Sequence, residues 1–239
     1  MRRLNFYQLV VTSTLIVSVA GVSQASLVTA DGVAVESGSE FFTAQNLINT
    51  NGLNLGEDNT LTVNDFYTES FNEDHSWVTN NNGASDYYSA FAEPVLTFTF
   101  DEAQDINQIA VWGYAVENTL ANGIGNSART GTVEFSTDGI NYGDAIAFNV
   151  DLTFQGDGAT VTEFDTQNGV VAARITFTDN YANLNGGDRV GANLVAFNTV
   201  DDPAIAVPTP TAASLALAGL AAMFCVRKRR VYAPMRVRS

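Results

Sequence analysis

The chain has 239 residues, with 11 basic and 26 acidic side chains and a net charge of −15. Only Arg129, Arg174 and Arg189 lie among the 26 acidic residues between Asp31 and Asp202, so that stretch stands at −23 while the two ends share +8. Such a middle repels phosphate backbones and excludes nucleic-acid binding, and a single cysteine (Cys225) and a single histidine (His75) exclude an intrachain disulfide, a thiolate metal cluster and a His-rich metal site.

Residues 1–25 read as a secretory signal peptide. Arg2 and Arg3 form the positive start, Leu9 to Val22 the apolar stretch, and Ser23-Gln24-Ala25 a small-x-small cleavage site. Cleavage is expected after Ala25; an uncleaved anchor helix is the alternative. Residues 26–203 are then the exported folded domain.

Within that domain the apolar pattern alternates. Leu96, Phe98 and Phe100 share one face, with Thr97 and Thr99 opposite. Ala110, Trp112 and Tyr114 share a face against Ile109 and Val111. Val133 and Phe135 alternate with Thr132 and Glu134, and Val171, Ala173, Ile175 and Phe177 with Ala172, Arg174 and Thr176; Val195 and Phe197 close the series. Period-two segments of this length are half-buried antiparallel strands. Asn81-Asn82-Gly83, Thr137-Asp138-Gly139 and Asn185-Gly186-Gly187 supply the turns between them. The fold class expected is all-β, an antiparallel β-sandwich.

Residues 204–211 are a linker that contains Val207-Pro208-Thr209-Pro210. Ala212 to Val226 then runs fifteen residues without a charge, followed by Arg227-Lys228-Arg229-Arg230 and a tail over 231–239. As a helix rising ~1.5 Å per residue the uncharged run is about 22 Å long, against a hydrocarbon core of ~30 Å. It spans a bilayer only with thinning, snorkelling arginines or help from the residues before it. The basic cluster is expected to stay cytoplasmic, which leaves the domain outside the membrane.

This three-part ending over 207–230 resembles the PEP-CTERM sorting signal, with Thr209 in place of the usual Glu. The resemblance implies an exosortase-like membrane protease as partner, anchorage in the inner membrane before processing, and then a cell-surface or extracellular location, often beside exopolysaccharide.

A second resemblance covers most of 41–198. Ala44-Gln45-Asn46-Leu47-Ile48-Asn49, Pro94 to Phe100 with Ile106 to Tyr114, Arg129 with Val133 to Tyr142, Ala173-Arg174-Ile175, and Val190-Gly191 to Phe197 follow the order of segments in discoidin domains, also called coagulation-factor C-type domains. The resemblance implies a galactose-binding-like jelly-roll sandwich that binds glycans or other surface ligands through loops at one end. Members of that family often hold a structural Ca²⁺. Here Asn49 and Leu194 stand where acidic ligands are expected, which argues against that site. Asp31, Glu57, Asp58, Glu73 and Asp74 offer hard oxygen ligands at no recognised spacing, so Ca²⁺ is the one cofactor left open.

Trp77, Tyr87, Tyr88 and Phe91 sit in an Asn-rich stretch. Aromatic faces stack on sugar C–H surfaces, and amides, carboxylates and guanidinium groups pair with hydroxyls. Trp77 suits either a stacking surface or an end plug, while Tyr87 and Tyr88 are expected to be exposed. His75 and the loop residue Arg189 complete the set of candidate ligand contacts. Trp112 and Tyr114 are expected in the core. Arg129 and Arg174 are expected to pair with buried carboxylates or stack on aromatics. No nucleophile elbow, zinc-protease helix or phosphate loop occurs, so the domain is expected to be non-catalytic. The function expected is an exported glycan-binding protein. The alternatives are a structural surface or matrix protein without a dedicated ligand, or part of a polysaccharide-acting enzyme.

Overall fold

A computed structural model describes residues 26–117 and 121–200. The signal peptide with Ala25, the Val207–Pro210 motif, the 212–230 segment with Arg227 to Arg230 and the 231–239 tail lie outside the described residues. Nine strands carry the chain: β1 (Ser26–Val28), β2 (Gly32–Ser37), β3 (Glu40–Phe42), β4 (Trp77–Thr79), β5 (Val95–Gly113), β6 (Ala128–Ser136), β7 (Ile146–Asn149), β8 (Thr160–Asn180) and β9 (Gly191–Thr199). A 3-10 turn at Ala44–Ile48 and one helical turn, α1 (Tyr87–Ala90), are interspersed. Among the described residues no helix is long and apolar enough to cross a membrane.

All strand pairs are antiparallel and join into one nine-stranded sheet. The two longest strands fold it into two layers. The first part of β5 (95–99) pairs with β2 on one side and with 172–176 of β8 on the other. Its second part (106–113) pairs with β9 and with 160–167 of β8. Register shifts between Thr99 and Gln108 mark the change from one layer to the next; such irregularities bend a strand. β6 and β7 extend the first layer, and β4, β3 and β1 extend the second. The result is the expected antiparallel β-sandwich of jelly-roll type.

The alternating residues meet between the layers. Phe197 of β9 packs edge-on to Phe98, Phe100 and Phe135, with ring centroids 6.1, 5.3 and 6.3 Å away. Leu96, Val133, Ala173 and Ile175 join the same core. Val171 is the exception: it is only half-buried, and Val170 takes the core position instead.

A second, smaller core lies on the outer face of the second layer. Ala110 and Trp112 of β5 and Leu194 and Ala196 of β9 face outward there, and Leu61 and Tyr67 of the long connection between β3 and β4 cover them. Trp112 Nε1 donates to Asp65 O at 2.6 Å, which satisfies the buried indole. Every residue of β9 is therefore buried, on both faces. Ala159 N donates to Val63 O at 2.8 Å, and the neighbouring Gly158 is needed because a Cβ there would collide with Val63 O.

Candidate functional site

Arg189 lies just before β9, in a loop that two buried asparagines clamp. Asn126 Oδ1 accepts from Gly187 N at 2.7 Å and from Arg189 N at 3.2 Å. Asn180 Nδ2 donates to Gly187 O at 3.1 Å and to Arg189 O at 2.7 Å. Gly187 has φ +101°, and a Cβ there would lie 2.5 Å from Ala182 Cα, so glycine is required at that turn. The clamp fixes the backbone on both sides of Asp188.

From this rigid base the Arg189 guanidinium reaches over the Phe41 ring, 4.0 Å from its centre, at cation–π range. Its Nη1 faces Thr79 O at 3.5 Å, and its Nε lies 4.0 Å from Asp188 Oδ2. Asp188 Oδ2 also accepts from Asn81 Nδ2. Phe41 stays 55% exposed in spite of the guanidinium above it. Arg189, Asp188, Asn81 and Phe41 thus form a surface with an apolar ring, a planar donor, an acceptor and an amide side by side. Tyr114 lies buried behind it; burial pushes its phenol well above the ordinary range, and Arg189 opposes that shift while Asp188 adds to it.

The aromatic candidates go elsewhere. Trp77 is 0% exposed and stacks on Phe177 of the opposite layer at 5.5 Å. Tyr87 is 1% exposed, which corrects the expectation of a solvent-facing ring. Tyr88 is half-buried and donates its hydroxyl to Phe177 O at 3.0 Å. Tyr87 meets Tyr88 edge-on at 5.4 Å and tilts against Phe91 at 5.2 Å. These rings close one end of the sandwich, because burying their area against the core outweighs leaving it in water. They do not line one loop surface. His75 is 3% exposed and stacks on Tyr67 at 4.9 Å, away from solvent. Of the five candidates, Arg189 alone faces solvent beside an exposed aromatic.

The other two arginines pair with carboxylates and lie near aromatic rings as expected, but the carboxylates are partly exposed where buried ones were expected. Arg174 grips Glu134 Oε2 through Nη2 at 2.9 Å and Nε at 3.0 Å and lies 4.2 Å above Tyr142. Arg129 pairs with Asp179 at 3.3 Å and sits 5.6 Å from the Tyr181 ring. Trp112 and Tyr114 are core residues, as expected.

Asp31 Oδ2 accepts from Asp101 N, and Asp58 Oδ1 accepts from Thr60 N. Among the described residues, no group of three or more His, Cys, Asp or Glu side chains is arranged to hold a metal ion. Asn49 Nδ2 donates to Asn46 Oδ1 at 3.2 Å, and Asn46 Nδ2 donates to the carbonyls of Glu73 and Ser76 at 2.8 Å each. This amide chain ties the first turn to the strand that carries Trp77. Leu194 belongs to the second core.

Phe41, Asn81, Asn126, Asn180 and Asp188 were not singled out as site residues from sequence. Phe41 and Phe42 pack against each other where the β3 register shifts, ring centroids 4.9 Å apart, and no sequence signal tells which of the two rings stays exposed.

No family model matches the chain, and no curated protein matches it. Similar solved structures exist. A CBM32 module from a family 31 glycoside hydrolase of Clostridium perfringens is 17% identical, with 73% of this chain and 92% of that chain covered and a TM-score of 0.45. The family 32 CBM of C. perfringens NanJ, solved with galactose, is 11% identical, covering 70% and 91%, with a TM-score of 0.41. The lectin domain of lectinolysin, solved with Lewis B antigen, is 9% identical, covering 71% and 93%, with a TM-score of 0.43.

Proposed function

We propose that this chain is an exported, non-catalytic glycan-binding protein, and that Phe41, Asn81, Asp188 and Arg189 form its binding surface. The supporting observation is the exposed Phe41 ring held against Arg189 beside an Asn–Asp pair. The apolar ring meets the C–H face of a sugar. The guanidinium donates to ring or hydroxyl oxygens, and Asp188 accepts from hydroxyl groups. A clamped backbone lowers the ordering cost of binding.

Export and sorting belong to the same proposal. The start of the chain suits secretion, and the Val207–Arg230 ending suits an exosortase-like protease acting at the inner membrane. The mature protein then reaches the cell surface or extracellular matrix, where glycan or exopolysaccharide is the ligand. A glycan array probed with the purified chain tests the binding surface. Phe41→Ala and Arg189→Ala are each expected to weaken the signal. Equal binding by both variants overturns the assignment, and Ca²⁺-dependent self-association with no glycan signal favours an acidic structural protein.

A further inference from the structure

The long connection that covers the second core leaves a groove beside it. This groove has a volume of about 570 Å³, within the ~300–1,000 Å³ range of small-ligand sites. Its wall is the segment 60–64, and its floor is the outer face of β9, β5 and β8. A second hollow of about 430 Å³ shares Leu27, Thr60 and Leu61 with it.

Strand register sets the floor. Gln108 of β5 lies directly opposite Asn198 of β9 and Glu163 of β8. Directly opposed residues point to the same face, so an amide, an amide and a carboxylate stand in a row across three strands, spanning roughly 10 Å. Asn198 Nδ2 donates to Asn107 Oδ1 at 2.9 Å, which fixes its orientation. The side chains of Gln108, Glu163 and Asn64 make no hydrogen bond or ion pair among the described residues, although all three line the groove. Val161, 37% exposed, supplies an apolar strip beside the row.

We propose that this groove binds a neutral oligosaccharide laid across the sheet face, at a site separate from Phe41 and Arg189. Among the described residues the lining contains no Arg, Lys or His, so none of them balances an anionic ligand. One carboxylate falls short of the six to eight oxygen ligands that Ca²⁺ takes. Uncommitted amides, threonine hydroxyls and a carboxylate beside apolar side chains match hydroxyl groups on a C–H framework. The groove lies at Asn198 and the first surface at the Gly191 end of the same strand. Seven residues of strand separate them, about 24 Å, so one chain engages two points of a polymer and gains avidity. This inference stands or falls independently of the Phe41–Arg189 surface.

The test is methyl NMR on the full chain, Leu/Val-labelled, in a detergent without a sugar headgroup. The probes are cellotetraose, maltotetraose, β-1,4-mannotetraose and β-1,4-galactotetraose, with tetragalacturonate and spermidine as charged controls. At least one neutral probe is expected to shift the Leu27, Leu61, Val63 and Val161 methyls, with tetragalacturonate silent. Glu163→Ala, an exposed change, and Gln108→Leu are each expected to weaken binding about tenfold, the loss of one hydrogen-bonded pair, and Arg189→Ala to leave it unchanged. The proposal is overturned if no neutral probe shifts those methyls, if Glu163→Ala and Gln108→Leu bind like the parent, if spermidine alone occupies the groove, or if Arg189→Ala removes the shifts. Groove shifts with no effect of Phe41→Ala on the array would sink the first surface and leave this one.

Discussion

Trp77 and Phe177 stack across the interior of the sandwich, with ring centroids 5.5 Å apart and planes 28° apart. A hundred residues separate them in sequence, and they come from opposite layers. The contact makes Trp77 a member of the core and leaves Arg189, partly exposed, as the candidate that lies beside an exposed aromatic ring.

Trp77→Ala is accordingly expected to destabilise the fold by about 3–5 kcal/mol, the usual cost of emptying an aromatic core site. Arg189→Ala, at a partly exposed cation–π contact, is expected to cost about 1 kcal/mol or less. Denaturant unfolding of the two variants measures the contrast. Equal losses would contradict the assigned roles.

The asparagine clamp predicts a local effect. Asn126→Ala removes the acceptor shared by the amides of Gly187 and Arg189. An orphaned buried donor costs about 1–3 kcal/mol. Amide hydrogen exchange at Gly187 and Arg189 is expected to accelerate, while the amides of β5 and β8 stay protected. Unchanged exchange at both loop amides would show that the clamp does not hold the loop.

His75 predicts a pH dependence. Burial holds its imidazole below the ordinary 6.5, against the opposing pull of the Ser70 backbone and the negative Glu69 and Asp74. The unfolded chain therefore takes up the proton more readily than the folded one. The stability that neutral His75 contributes is complete above pH 6.5 and is lost as pH falls through the lowered folded value. Unfolding midpoints between about pH 7 and 5 are expected to fall for the parent chain and to stay flatter for His75→Phe, which keeps a ring against Tyr67. Parallel profiles would refute the assignment.

The two ends of the chain make the last prediction. Intact-mass measurement of the mature protein is expected to show a start at Ser26. Replacing Arg227, Lys228, Arg229 and Arg230 with Ser is expected to leave a longer form in the membrane fraction. Identical mass and location in parent and variant would rule out the sorting role.

Much of the scaffold is legible in the sequence. Alternation in 96–100, 109–112, 132–135 and 172–177 is a local property, and it assigned both the strand state and the buried face of Phe98, Phe135 and Ile175. The Asn-Gly and Asp-Gly turns were equally local; Gly83 and Gly139 do adopt positive φ, at 86° and 74°. Leu194 and Ala196 were harder. Their face is buried only because the distant segment that carries Leu61 and Tyr67 folds over it, and nothing within β9 announces that cover.

The sequence by itself determined that the domain is acidic and built of antiparallel strands, and that it holds few cations and a cluster of aromatics in polar surroundings. Composition and period-two spacing fix those properties residue by residue. Which aromatic meets solvent was decided only by the tertiary structure. Trp77 and Tyr87 sit in an Asn-rich stretch yet are buried, whereas Phe41 lies beside a nearly identical neighbour and is exposed. Exposure depends on which remote surface arrives to cover a ring. Phe177 covers Trp77, while Phe41 is flanked by its neighbour Phe42 and by the guanidinium of Arg189, brought to it from 148 residues away by the pairing of β3, β4 and β9.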